Sequence, residues 1–293
     1  MMKRSIGLVL TLILLWGSSV SAENNYNWIE GGKKISLGSM ATVDLNEEFT
    51  FLDGADTIKL QRDWNFKPSG KEIGSIHPLD ENQNWVVYFE YEESGHIYDD
   101  EKKKIDANAI LKSYKDGSEE ANKELEPESR LYVAGWDVEP FYDDKTHNLT
   151  WSMMFENEAK EPLVNYHERL LTREGYISAI LVSDPAEREA NRVTLDTKIM
   201  PKLQVNEGKR YVDFIEGTDK VSEYGLSALV LGGAGLAVAK KAGLIGLIAA
   251  FGKKFIFIVI AAVGGIFALI KKMLTRKKES AIPTGTDDQS SAS

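Results

Sequence analysis

Trp85-Val-Val-Tyr-Phe-Glu-Tyr91 is almost entirely apolar and aromatic. A run of this kind, rich in β-branched and ring side chains, predicts a strand covered on both faces, and therefore the centre of a sheet. Working outward toward the N-terminus, Ile35 and Leu37, Val43 and Leu45, Phe49 and Phe51 alternate with other residues, which predicts short strands within 35–51. Asp53-Gly54 breaks the pattern, a short helix is expected over about 55–64, and Pro68-Ser69-Gly70 forms a turn.

Toward the C-terminus, Ala107, Ile110, Leu111 and Tyr114 repeat at helical spacing, with Asp116-Gly117 as a stop. Ser118, followed by Glu119 and Glu120, starts a second short helix that ends before Pro127. Strands are expected at 131–136 and 149–155, joined as a hairpin through Asp143-Asp144-Lys145. A second pair, 164–171 and 176–182, turns at Glu174-Gly175. Asp184, Pro185 and Glu187 cap a helix whose inner side is Ala186, Ala190, Val193, Thr197 and Met200, and Pro201 ends it. A last strand is expected at about 210–215. Strand pairs interrupted by helices, without regular alternation, define an α+β class: a mostly antiparallel sheet with flanking helices, plus a C-terminal transmembrane helix.

That last helix is the segment 255–270, which holds no charged residue and is flanked by Lys253, Lys254, Lys271 and Lys272. It is long enough to cross a hydrocarbon layer about 30 Å thick, with the lysines snorkelling at its ends. At the other terminus, Lys3 and Arg4 precede an apolar run and the small residues Val20 and Ala22, the pattern of a secretion signal cleaved after Ala22. The organisation expected is therefore a signal peptide (1–22), an extracytoplasmic α+β domain (23–222) and a Gly/Ala-rich apolar membrane-proximal segment (223–252). A transmembrane helix (253–274) and a polar, disordered cytoplasmic tail (275–293) complete it. One crossing leaves Lys271, Lys272, Arg276, Lys277 and Lys278 inside, as the positive-inside preference favours, although four lysines upstream then lie outside. The localisation expected is the inner membrane, single-pass, with the main domain periplasmic. In 223–252, Gly235, Ala239 and Gly243, and likewise Ala242, Gly246 and Ala250, recur every four residues. These stripes suit either close approach of another membrane helix, through a partner or self-association, or simply a pliable interfacial segment.

Residues 23–222 carry 24 of the 35 Lys and Arg but 41 of the 45 Asp and Glu, a net charge of −17. Such a surface repels phosphate backbones, so nucleic acid is not expected as a partner, whereas cations or basic surfaces suit it. The chain has no cysteine, which excludes disulfides, thiol catalysis and thiolate metal sites.

Several stretches, in order along the mature chain, resemble the motif string of a bacterial membrane-anchored family, domain of unknown function 2167. They are Gly95-His-Ile-Tyr-Asp-Asp-Glu-Lys102, Gly135-Trp-Asp-Val-Glu-Pro-Phe-Tyr-Asp143, Leu149-Thr-Trp151, Val164-Asn-Tyr-His-Glu-Arg-Leu-Leu-Thr-Arg-Glu-Gly175, Gly208-Lys-Arg-Tyr-Val-Asp-Phe214 and Thr218-Asp-Lys-Val-Ser-Glu-Tyr-Gly-Leu226. The resemblance implies a secreted domain tethered by a C-terminal helix, and it brings no activity and no catalytic residues.

The residues themselves offer few candidates. His77, His96, His147 and His167 show no close metal-ligand spacing, and His167 alternates with Asn165 and Arg169 as the polar face of a strand. Tyr98-Asp99-Asp100 and Tyr142-Asp143-Asp144 echo each other; paired carboxylates can share a proton or hold a cation, but Asp pairs also form turns. Trp136, Phe141 and Tyr142 stand among Asp137, Glu139 and Asp143 near Pro140, a loop-prone stretch that makes either a binding lip or a pin onto the core. No nucleophile elbow or phosphate loop is present in the sequence. The candidate surface is thus Asp99, Asp100, Trp136, Glu139, Tyr142, Asp143 and Asp144, with no cofactor and no metal site expected. The leading expectation is a non-enzymatic envelope protein that binds a partner; the alternative is a tethered hydrolase or metal-dependent enzyme using the Asp pairs.

Overall fold

The computed structural model describes residues 26–232, apart from 65, 67, 81, 128 and 129. Eight strands form the main sheet: β1 (Ile29–Glu30), β4 (Phe49–Asp53), β5 (Glu72–Pro78), β6 (Trp85–Glu92), β7 (Leu131–Asp143), β8 (Asn148–Asn157), β9 (Pro162–Thr172) and β10 (Gly175–Ser183). Their spatial order is β1-β4-β5-β6-β10-β9-β8-β7, and every neighbouring pair is antiparallel. A three-stranded sheet, β11 (Leu203–Val205), β3 (Ala41–Leu45) and β2 (Lys33–Leu37), covers part of one face. The α+β class with a mostly antiparallel sheet holds.

β6 lies inside the large sheet and is buried on both sides, as its composition demands. Trp85, Val87 and Phe89 face a core shared with Leu37, Val43, Leu45, Phe51, Ile177 and Leu181, while Val86 and Tyr88 pack with Phe66 and Val182 on the opposite face. Hydrophobic transfer on both faces is what holds a two-layer domain together without disulfides.

Several local expectations are corrected by tertiary contacts. The helix α2 (Ala107–Asn122) runs without interruption through Gly117, where two helices were expected. Ser118 Oγ and Asn122 Nδ2 both donate to the Leu131 carbonyl, and Asn122 Oδ1 accepts from Leu131 N. Three bonds from its last turns to β7 hold the helix where a local stop signal alone would end it. β7 continues through Pro140 to Asp143 instead of ending at Trp136, because it is an edge strand whose register shifts between Val138 and Phe141 absorb the proline.

β5 and β11 were not foreseen. After Asp184, whose carboxylate does accept from Ala186 N, the helix α3 (Arg188–Thr194) starts late and passes into a π-helical turn over Leu195–Ile199. Its buried residues are Asn191, Leu195 and Ile199, and Val193, expected inside, is 48% exposed. The wider π turn keeps every fourth residue in line, so the inner side is 191, 195 and 199. The expected strand at 210–215 is instead a single 3-10 turn, Tyr211–Asp213, closed by Asp213 accepting from Arg210 N and pairing with its guanidinium.

His167, Asn165 and Arg169 do share a face, but that face is covered. His167 stacks on Trp151 with ring centroids 5.0 Å apart, and burial pushes its pKa down to about 3. A short helix, α4 (Leu226–Val230), completes this cover together with α2, while α1 (Gly54–Asp63) packs against β4 and β5. Among the described residues no helix is long and apolar enough to cross a membrane. The segment expected to do so, 255–270, the Gly/Ala stripes from Gly235 to Ala250, the signal 1–22 and the tail lie outside the described residues.

Candidate functional site

One end of the large sheet gathers most of the polar chemistry. There β6 ends at Glu92, the β9–β10 turn lies at 172–175, and the β7–β8 hairpin closes between Asp143 and Asn148. The segment after β6 crosses this end because Gly95 permits it. Gly95 has φ +89°, and a methyl there would stand 2.9 Å from backbone atoms of Lys220, Val221 and Ser222. His96 then donates its backbone N–H to Lys220 O at 2.8 Å and accepts from Ser222 N at 2.8 Å.

The His96 ring is the centre of a stack. Phe214 lies 3.9 Å from it at an interplanar angle of 15°, and Tyr211 lies 4.5 Å away at 25°. His96 is 3% exposed, its Nδ1 lies 3.3 Å from the Arg173 carbonyl, and burial lowers its pKa, so the ring is neutral. Tyr211 in turn lies 4.3 Å from His147, whose Nδ1 is 3.0 Å from the Tyr142 hydroxyl. His147 holds φ 56°, in the left-handed region that is uncommon for residues other than glycine, at the tip of the hairpin. Burial, followed by the charge on Asp99, holds the Tyr142 proton on far above the ordinary phenol range.

Lys102 closes the site. Its Nζ lies 2.5 Å from Asp144 Oδ1, 3.4 Å from Asp99 Oδ2 and 6.0 Å from the centre of the Tyr142 ring. The two Tyr-Asp-Asp motifs therefore meet at one ammonium. Below them Arg173 grips Asp219 through two 2.7 Å bonds, pinning the 208–219 loop to the end of β9, and this guanidinium holds the Asp219 carboxyl down at about 2.

The candidate residues are thus divided. Asp99, Tyr142 and Asp144 come together. Asp100 and Glu139 are exposed, and Asp143 spends an oxygen on Lys145 N as a turn former. Trp136 donates from Nε1 to Ala107 O at 3.1 Å and packs against Tyr114, which pins β7 to α2. The sequence singles out neither Lys102, Arg173, Tyr211, Phe214 nor Asp219, although all fall within the motif strings quoted above, and it names His96 and His147 only as histidines without metal-ligand spacing. Among the described residues no three His, Asp or Glu side chains are arranged to hold a metal ion.

A second polar group lies on the other sheet face. Glu168, 8% exposed, accepts from Asn148 Nδ2, and burial, reinforced by Asp196, raises its pKa to about 7.

Fold and site together define an α+β protein whose distinguishing feature is an aromatic–histidine stack under a lysine-bridged acid pair. The chain belongs to the family described as protein of unknown function (DUF2167), whose model matches residues 29–264. No curated protein and no solved structure matches it.

Proposed function

We propose that this is a membrane-anchored extracytoplasmic protein of the bacterial cell envelope that binds or scaffolds a partner. The observation that carries the reading is how the folded body joins the apolar sequence that follows it. Leu226, Leu229 and Val230 are buried in the same cluster as Ile97, Trp151 and Tyr176. The carbonyls that a helix leaves open at its C-terminal end are taken by the body: Arg169 Nη1 donates to Leu229 O and Tyr114 OH to Val230 O, each at 2.6 Å. Arg169 is itself stacked between Trp151 and Tyr176. Up to Val230 the exit of the chain from the body is clamped in place, an arrangement suited to presenting one surface to a partner. The signal at 1–22, the apolar run at 255–270 and the net charge of −17 support the compartment.

The presented surface is the β7 edge, where Phe141 is 49% exposed beside exposed Glu139. A photo-crosslinking residue in place of Phe141, expressed in intact cells, is expected to give a discrete heavier adduct that the same residue in place of Leu79 does not give. Monomer alone at both positions would overturn the binding reading.

A tethered hydrolase is the second reading, supported by the convergence of Asp99, Tyr142, Asp144 and His147. Binding is preferred because these groups already engage one another: Lys102 pairs with both acids and Tyr142 occupies His147. Turnover of aryl esters or phosphates by the full chain that is lost in Asp99→Asn would reverse that preference.

A further inference from the structure

We infer that the loop 211–221 and the segment at Tyr98 form a bilayer-facing patch that seats the body on the lipid surface. This rests on the anchored reading above and goes beyond it. Eight large hydrophobic side chains are exposed among the described residues, and four of them, Tyr98 (44%), Val212 (71%), Ile215 (49%) and Val221 (41%), belong to these two segments. The segments form one unit: His96 bridges to Val221, and Tyr98 meets Phe214 edge-on at 5.8 Å. Folding leaves much of these side chains in water, yet the unit beneath them is built firmly, by the His96 stack and the Arg173–Asp219 pair.

The occupant follows from where the chain goes. Tyr211 and Ile97, the neighbours of Val212 and Tyr98, pack in the same cluster as Leu226, Leu229 and Val230, beyond which the apolar sequence begins. The patch therefore adjoins the part of the body from which the apolar sequence leaves, and the surface it would meet there is the lipid interface. Charge does not drive the contact. Exposed Lys103, Lys104 and Lys220 are matched by exposed Asp100, Glu216 and Glu223, so insertion is apolar and insensitive to anionic lipid.

The absence of cysteine makes the test direct. Full chain carrying Val212→Cys, Ile215→Cys or Leu79→Cys, each with an environment-sensitive fluorophore, is reconstituted in phosphatidylcholine vesicles with and without phosphatidylglycerol. Leu79, 54% exposed, lies at the opposite end of the sheet and serves as the matched control. The labels at 212 and 215 are expected to shift to the blue and lose intensity to headgroup-proximal nitroxide lipids, equally in both compositions, while the label at 79 does neither. A chain that floats with the vesicles but shows no difference between 212, 215 and 79 overturns the patch and leaves the anchor standing. Quenching that appears only with phosphatidylglycerol overturns the apolar mechanism, and a chain that does not float overturns the anchored reading itself.

Discussion

Glu168 faces Asn148 across β8 and β9, with Asp196 nearby on the π turn and Asp143 at the end of β7. Its proton is retained because the Glu168 carboxyl is buried and because ionisation would add a charge near that of Asp196. Its folded pKa, about 7, is above the ordinary value, so its contribution to stability is complete below the unfolded carboxyl pKa and is lost as pH rises through 7. Urea unfolding of the wild type is therefore expected to lose up to about 3 kcal/mol between pH 4 and pH 8, a loss that Glu168→Gln does not show. Identical pH slopes in the two proteins would contradict this. Gly95 makes a second prediction at the same scale. Gly95→Ala puts a methyl against the 220–222 backbone at a positive φ and is expected to cost more than about 1 kcal/mol in the same assay.

At the scale of elements, the sequence was most legible where periodicity and burial agree. The double-sided apolar run of β6 and the paired runs of β9 and β10 were readable because each side chain's face follows from the strand period alone. It was least legible where a distant partner decides. Gly117 looks like a stop until Leu131 is available to Ser118 and Asn122, and Tyr211-Val-Asp-Phe214 looks like a strand until Arg210 folds it into a turn. The site was half legible for the same reason. The repeated Tyr-Asp-Asp marked Asp99, Tyr142 and Asp144, but the bridge that Lys102 makes to Asp144 and the stack of Phe214 on His96 depend on contacts between residues far apart in the chain. Arg169 joins elements in this way too. Arg169→Gln is expected to abolish the bond to Leu229 O and remove about 1.5–3 kcal/mol of local stability, read as faster amide hydrogen exchange in 226–232 with β6 unchanged. Uniform loss of protection would instead mean global destabilisation, and unchanged exchange in 226–232 would mean that the clamp is not formed.

Taken as one molecule, the chain places its charges, its covered polar face and its exposed apolar loops in an order that makes sense with respect to a membrane. In the proposed topology the acidic body lies on one side of the membrane, the clamped helix α4 leads out of it, and the lysine-rich sequence at 271–278 follows the apolar run. The central claim is that body and tail are on opposite sides of one bilayer. Protease added to spheroplasts expressing the full chain tests it. The account predicts that the body is digested from outside while a fragment containing 271–293 survives until the membrane is opened. A body that resists protease in intact spheroplasts would contradict it.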